Sequence, residues 1–265
     1  MVAPLFLRGV KANARLFVII AAVLTLYITL IIYMYNPEMS ALLDSMAGLM
    51  PEMMAAVGMT DAGSSLLQFI NNYLYGFLLL IFPMVLEIVV ANALVSRYID
   101  RGSMAYLLSS RNPRRKLILT QALFLFCCAA AMIVFATLLT IGTSAVFFPG
   151  ELELPAFLRL NAGLLCLHVC ISGICFCASC VCPDVKWAYG VSVGVPVGFY
   201  LLNMLANMGG ELEVLRYCTI FTLFDAGALM AGSADGLWKS VILLGAGAIC
   251  GFCGCWGFMR RDIHV

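Results

Sequence analysis

The sequence predicts an all-α, polytopic membrane protein. Six transmembrane helices, a short cytoplasmic helix between spans two and three, apolar outer or re-entrant segments and two cytoplasmic termini make up the predicted architecture. Three observations lead there. Hydrophobic residues form 63% of the chain and charged residues 11%, against roughly 45–50% and 25% in soluble domains. The chain has room for six apolar runs of the about 20 residues that a bilayer core requires. Lys and Arg alternate between connections: twelve fall in the pieces assigned to the cytoplasm, and only Arg159, Arg216 and Lys239 in the outer ones. That asymmetry orients the spans. Residues 1–265 read as one transmembrane domain.

Span one covers about residues 16–35 and follows Arg8, Lys11 and Arg15. Its apolar run is too long for a secretory signal, and no small-x-small cleavage site closes it. It reads as a retained span with its N-terminus in the cytoplasm. Residues 36–72 hold Glu38, Asp44, Glu52 and Asp61, no Lys or Arg, and a cluster of methionines from Met39 to Met59. Pro37, Pro51, Gly58 and Gly63 cut this stretch into pieces too short to cross, which places them at the outer interface. A Met-rich surface suits contact with an apolar substrate; plain lipid contact is the reading we favour.

Span two, 73–96, contains Pro83 and Glu87. A carboxyl group at bilayer depth is costly and is a functional candidate by default, which makes Glu87 a candidate for a substrate path. The alternative is a protonated or hydrogen-bonded Glu at a helix contact. Pro83 leaves the carbonyl four residues earlier without its donor and predicts a kink.

Residues 98–116 are the longest basic interruption between two spans. Ser103 is suited to cap a helix start, and Met104, Leu107 and Leu108 then fall on one face. Pro113 disfavours helix just before it, so the predicted helix covers 103–111, on the order of 10–12 Å long. Such a helix suits docking of a soluble partner or, equally, contact with anionic lipid headgroups.

Span three covers 117–143, and an outer connection with Glu151 and Glu153 follows. Span four covers 160–181, residues 183–186 form a tight inner turn, and span five covers 187–208. Residues 209–237 form a second outer segment, whose apolar centre at 217–231 is too short to cross and suits a re-entrant or interfacial helix. Span six covers 238–259. Gly190, Gly194 and Gly198 on span five, and Gly247 and Gly251 on span six, recur at intervals of four. That spacing lets helices approach closely in lipid, within this chain or between chains.

Eleven of the twelve cysteines lie in or at the ends of apolar spans, where Cys serves as a small apolar packing residue. Cys177, Cys180 and Cys182 lack the second pair or nearby His that a zinc site needs. The chain has no phosphate-binding G-x-x-x-x-G-K-[ST] and no H-E-x-x-H. His168, in mid-span beside Cys166 and Cys170, reads as a packed polar residue without a carboxylate partner. With no catalytic constellation, no bound cofactor or metal and no nucleic-acid signal, the chain reads as a non-enzyme whose energy source lies elsewhere.

The run Ser96-Arg97-Tyr98-Ile99-Asp100-Arg101-Gly102-Ser103, then Leu107-Leu108-Ser109, Arg114, Lys116 and Thr120-Gln121, resembles six-helix ABC exporter permeases of the type-2 class. Those chains often show S-R-E-x-x-x-G-[ST]-x-x-x-L-L-S-x-P-x-S-R-x-K at this place. Phe258, Arg261, Asp262 and Ile263 are similar to a frequent F-x-x-R-D-[LI] ending. Tyr98 stands where the family has glutamate, Arg111 where it has proline, and Pro113 where serine is common. The resemblance implies that 103–111 is a coupling helix docked on a separate ATPase. Gly102, Ser103, Met104, Leu107 and Leu108 would form the contact, and Arg101, Arg111 and Arg114 its rim. It also implies a bacterial plasma membrane location, two ATPase copies carrying ATP and Mg, and a second permease chain, identical or sister. The cargo would be an amphipathic substrate such as a lipid, drug or antimicrobial peptide, moved outward through surrounding membrane lipid. Two rivals follow from the same residues: a gradient-driven secondary transporter using Glu87, and a non-transporting sensor or scaffold.

Overall fold

The computed structural model describes residues 2–35, 65–100 and 113–260. The described chain is helical, with six helices long and apolar enough to cross a membrane. α1 (Ala3–Tyr33) carries Pro4 in its first turn, where a missing N–H costs nothing. It buries Ile20, Leu24, Ile28 and Ile32, a stripe at intervals of four. α2 (Leu66–Ile70) passes directly into a π-helix (Asn71–Leu78) and then into α3 (Leu79–Leu94). Val95 breaks that run, and α4 (Ser96–Asp100) follows. α5 (Arg114–Phe147), α6 (Leu154–Val181), α7 (Val185–Asn207) and α9 (Ala234–Arg260) are the remaining spans. Most of these helices extend beyond the expected spans at one or both ends. α1 gains three turns before residue 16, because its basic start is still a good helix former.

Between α7 and α9 lie two 3₁₀ turns (Gly210–Cys218 and Ile220–Leu223) and α8 (Ala226–Ala231). The chain bends by 82° within this stretch. Asp225 caps α8 by accepting from the Ala228 N–H at 3.0 Å. Gly232 ends it in a left-handed conformation, φ 71°, which glycine adopts without strain.

α6 is the centre of the bundle and packs on α3, α5, α7, α8 and α9. Its seam with α9 is the most extensive. Gly173 lies against the backbone of Gly247, and a Cβ on Gly247 would sit 2.7 Å from the Val169 carbonyl oxygen. A Cβ on Gly254 would sit 2.9 Å from Cys177 Cα. Among the described residues, Gly190, Gly194 and Gly198 on α7 meet nothing within 4 Å. The two glycine stripes, alike in sequence, therefore differ: one is an intramolecular seam, the other an open face. Among the described residues no two cysteines are joined by a disulfide.

Charge divides the bundle into two poles. The start of α1, the end of α4 and the starts of α5 and α7 meet at one pole, through Arg8 over Tyr98, the Val2 N–H on Thr120 Oγ1 and Arg97 over Tyr189. The end of α6 joins them through Ser96. Arg8, Lys11, Arg15, Arg97, Arg114, Arg115, Lys116, Lys186 and Arg260 gather there, against Asp100 and Asp184. The opposite pole holds Glu151, Glu153, Glu213, Asp225 and Asp235 against Arg159, Arg216 and Lys239.

Candidate functional site

The polar interior is built on one face of α6. Asn161, His168, Ser172, Cys175 and Ser179 recur at helical spacing and are all buried. His168 corrects the sequence expectation: it does have a carboxylate partner. Its Nδ1 lies 2.9 Å from Glu87 Oε1, with the two side chains 0% and 1% exposed. Its Nε2 lies 2.9 Å from the carbonyl oxygen of Leu79.

Proline explains this arrangement. Pro83 lies inside α3 and supplies no N–H to the carbonyl four residues before it, which is that of Leu79. His168 fills the gap from the neighbouring helix. A second case repeats the first. Pro196 lies inside α7 and releases the Ser192 carbonyl, which accepts from the Cys175 thiol at 3.6 Å. His168 and Cys175 are two turns apart on the same face of α6. This helix thus satisfies the orphaned acceptors of two proline-containing neighbours, which in lipid is required of every backbone polar group.

The geometry also fixes protons. A carbonyl only accepts, so His168 Nε2 carries a hydrogen. One further proton then lies between Nδ1 and Glu87. On either atom the pair is net neutral: neutral imidazole with carboxylic acid, or imidazolium with carboxylate. Removing it would set two lone pairs against each other in a dry interior. Ser172, one turn from His168, interacts with Glu87 without hydrogen-bond geometry, and Glu87 Oε2 has no hydrogen-bond partner among the described residues.

The column extends both ways. Towards the basic pole, Ser179 Oγ donates to Asn92 Oδ1 at 3.2 Å, and Ser96 Oγ donates to the Ser179 carbonyl at 3.1 Å. Towards the acidic pole, the Thr137 hydroxyl donates to Asn161 Oδ1 at 2.9 Å.

A separate cavity of about 120 Å³ opens near the acidic pole, between the π-helix, α7 and the segment before α8. Asn71, Tyr75, Tyr200, Asn203, Asn207 and Phe224 line it. Tyr75 and Phe224 stack at 6.4 Å, Tyr200 OH donates to the Gly76 carbonyl at 3.0 Å, and Asn71 Oδ1 is buried without a hydrogen-bond partner among the described residues. Uncharged amides beside aromatic faces suit a neutral polar group attached to an apolar body. The π-helix, a form frequent at functional sites, supplies one wall.

The predicted site residues divide sharply. Glu87 is enclosed between α3 and α6. Arg114 opens α5 at the basic pole. Arg101, Gly102, Ser103, Met104, Leu107, Leu108 and Arg111, with the predicted helix 103–111, lie outside the described residues. So do Arg261, Asp262 and Ile263, and residues 36–64 of the Met-rich segment. The sequence reading missed the Glu87–His168 pair, although both residues fall near the middle of their spans and Pro83 announces a free acceptor. It also missed Asn203 and Asn207, whose i, i+4 spacing at the end of span five marks a polar face. Among the described residues, no group of three or more His, Cys, Asp and Glu is placed to hold a metal ion.

Comparison with known proteins leaves the assignment to the chain itself: no family model, no curated protein and no solved structure matches this sequence.

Proposed function

We propose that this chain is the membrane-spanning permease subunit of an ATP-driven ABC exporter in a bacterial plasma membrane. It works with two copies of a separate ATPase and a second permease chain, identical or sister. Its cargo is an amphipathic molecule moved outward. ATP and Mg belong to the partner subunit, and this chain performs no catalysis. The observation that carries the reading is the run Ser96 to Gln121, with its resemblance to the coupling region of such permeases. The surroundings of that run support it. α4 ends and α5 begins at the basic pole, which the positive-inside rule assigns to the cytoplasm. Residues 101–112 therefore join two spans directly where a soluble ATPase is available. The coupling helix that the resemblance implies there would transmit a push into both spans. The amide and aromatic cavity at the opposite pole suits the polar part of an amphipathic cargo.

The test is the double substitution Leu107→Asp with Leu108→Asp. The permease should still insert while ATPase binding and transport fall together. Normal assembly and transport in that variant would remove the coupling assignment.

One observation favours a second reading, a gradient-driven carrier: Glu87 and His168 hold a proton at bilayer depth. The pair is neutral wherever that proton sits, and both ring nitrogens are engaged, which suits a structural joint better than a proton load that must come and go. Transport by the purified chain in liposomes, driven by a proton gradient without ATP, would establish the carrier instead.

A further inference from the structure

We propose that the basic pole contains a site for the phosphate headgroup of an anionic phospholipid, between α1 and the α3–α4 junction. A cavity of about 280 Å³ lies there, lined by Arg8, Gly9 and Asn13 from one side and Leu94, Arg97 and Tyr98 from the other. One arginine from each of two elements distant in sequence thus lines it. Among the described residues, neither arginine has a carboxylate within ion-pair distance. Asp100, one turn beyond Arg97, lines a different cavity with Ser96, Ile99 and Pro183.

Each arginine lies within cation–π reach of an aromatic ring. Arg8 lies over the Tyr98 ring at 5.7 Å and Arg97 over the Tyr189 ring at 5.8 Å. A guanidinium offers an oxyanion two N–H groups at once, the bidentate mode that phosphate favours. α1 is itself anchored. A Cβ on the buried Gly9 would sit 3.3 Å from the Phe124 ring, and the Val2 N–H donates to Thr120 Oγ1 at 2.9 Å.

Lipid is the source rather than free phosphate because an apolar groove adjoins the basic cavity. Asn13 is shared by both, and the groove, about 370 Å³, runs from Phe6 to Val18 along α1 and is walled by Phe124 and Ala131 of α5. Its lining is almost wholly carbon, which suits an acyl chain. Basic pockets between transmembrane helices at the cytoplasmic face are a recurrent form of anionic headgroup recognition.

Native mass spectrometry of the full chain in mild detergent, titrated with phosphatidylglycerol, phosphatidylethanolamine or inorganic phosphate, tests the site. Phosphatidylglycerol should bind in preference to phosphatidylethanolamine, and inorganic phosphate should not displace it at equal concentration. Arg8→Gln with Arg97→Gln should weaken phosphatidylglycerol binding on the order of ten- to thirty-fold and leave phosphatidylethanolamine binding unchanged. Arg8→Gln alone changes an exposed side chain and should give several-fold of that loss, so the test survives a misfolded double variant. Arg15→Gln, outside the cavity, should change nothing. Undiminished selectivity in Arg8→Gln and in the double variant, equal loss of both lipids, or inorganic phosphate binding as tightly as the lipid would each overturn the proposal.

Discussion

α6 and α7 are adjacent in sequence and both cross the bundle, yet they meet different surroundings. In its most apolar stretch α6 is 67% buried and α7 22%. α6 packs its glycines on α9 and its polar face on α3, α5 and α7. α7 leaves Gly190, Gly194 and Gly198 open. Hydropathy does not mark a core helix: α1 is the most apolar of the six spans and only 28% buried, because lipid and protein interior are equally apolar. What separates α6 from α7 is polar chemistry. A span whose neighbours contain prolines must bring donors to the freed carbonyls, and α6 brings His168 and Cys175. The difference teaches that in a bilayer the core helix is marked by what it satisfies, not by how apolar it is.

The contrast can be broken, and the largest effect is expected at its centre. His168→Ala would orphan both the Leu79 carbonyl and Glu87 in a dry interior, at a cost of about 1–3 kcal/mol for each; thermal unfolding in detergent reads this directly. Glu87→Gln sharpens the point. A glutamine amide can donate to Nδ1 of a neutral imidazole, so this variant should stay within about 1 kcal/mol of the parent. A loss as large as that of His168→Ala would show that the pair is an ion pair rather than a neutral one.

The glycine stripes give the next comparison. Gly247→Val places side-chain atoms against the backbone of Val169 and Cys170 and should cost about 1–3 kcal/mol through overpacking. Gly194→Val meets nothing within 4 Å and should stay within about 0.5 kcal/mol, in the range of an ordinary surface change. Equal destabilisation by the two would show that α7 also packs through its glycines, on another chain.

The smallest effect belongs to the acidic pole. Lys239 Nζ lies 2.8 Å from Asp225 Oδ2, with both side chains about a third exposed. Burial pushes the Asp225 carboxyl up, but the Lys239 hydrogen bond, the Ala228 N–H and the charges of Lys239 and Arg216 outweigh it and hold the group below its ordinary value. A depressed carboxyl contributes stability above its unfolded value, and that contribution is lost as pH falls through the folded one. Asp225→Asn should therefore cost about 0.2–1 kcal/mol at neutral pH, with the difference from the parent vanishing in acid. A difference that persists unchanged there would assign the effect to the α8 cap rather than to charge.

The six spans were legible because length and hydropathy are properties of one segment at a time. The poles were legible because cations and acids alternate along the chain. The Glu87–His168 pair was not, since its partners are 81 residues apart and nothing local to His168 shows the helix beside it. Pro83 and Pro196 were the usable signals: each names a carbonyl in need of a donor, and only the choice of donor needed the fold. The glycine stripes are a different case. Spacing alone announced close approach on both α7 and α9, and three-dimensional packing within the chain uses only one of them. The outer cavity escaped notice because Asn71, Tyr200, Asn203 and Phe224 come from three separate segments that only the fold brings together.

The central claim is that this chain is moved by another. It is tested most directly by extracting it from its native membrane in mild detergent and identifying by mass spectrometry what accompanies it. The account predicts an ATP-binding-cassette ATPase in stoichiometric amount, released by Leu107→Asp with Leu108→Asp. A chain that emerges alone, and stays alone in milder detergent, would contradict the permease reading and move the Glu87–His168 pair to the centre of a gradient-driven mechanism.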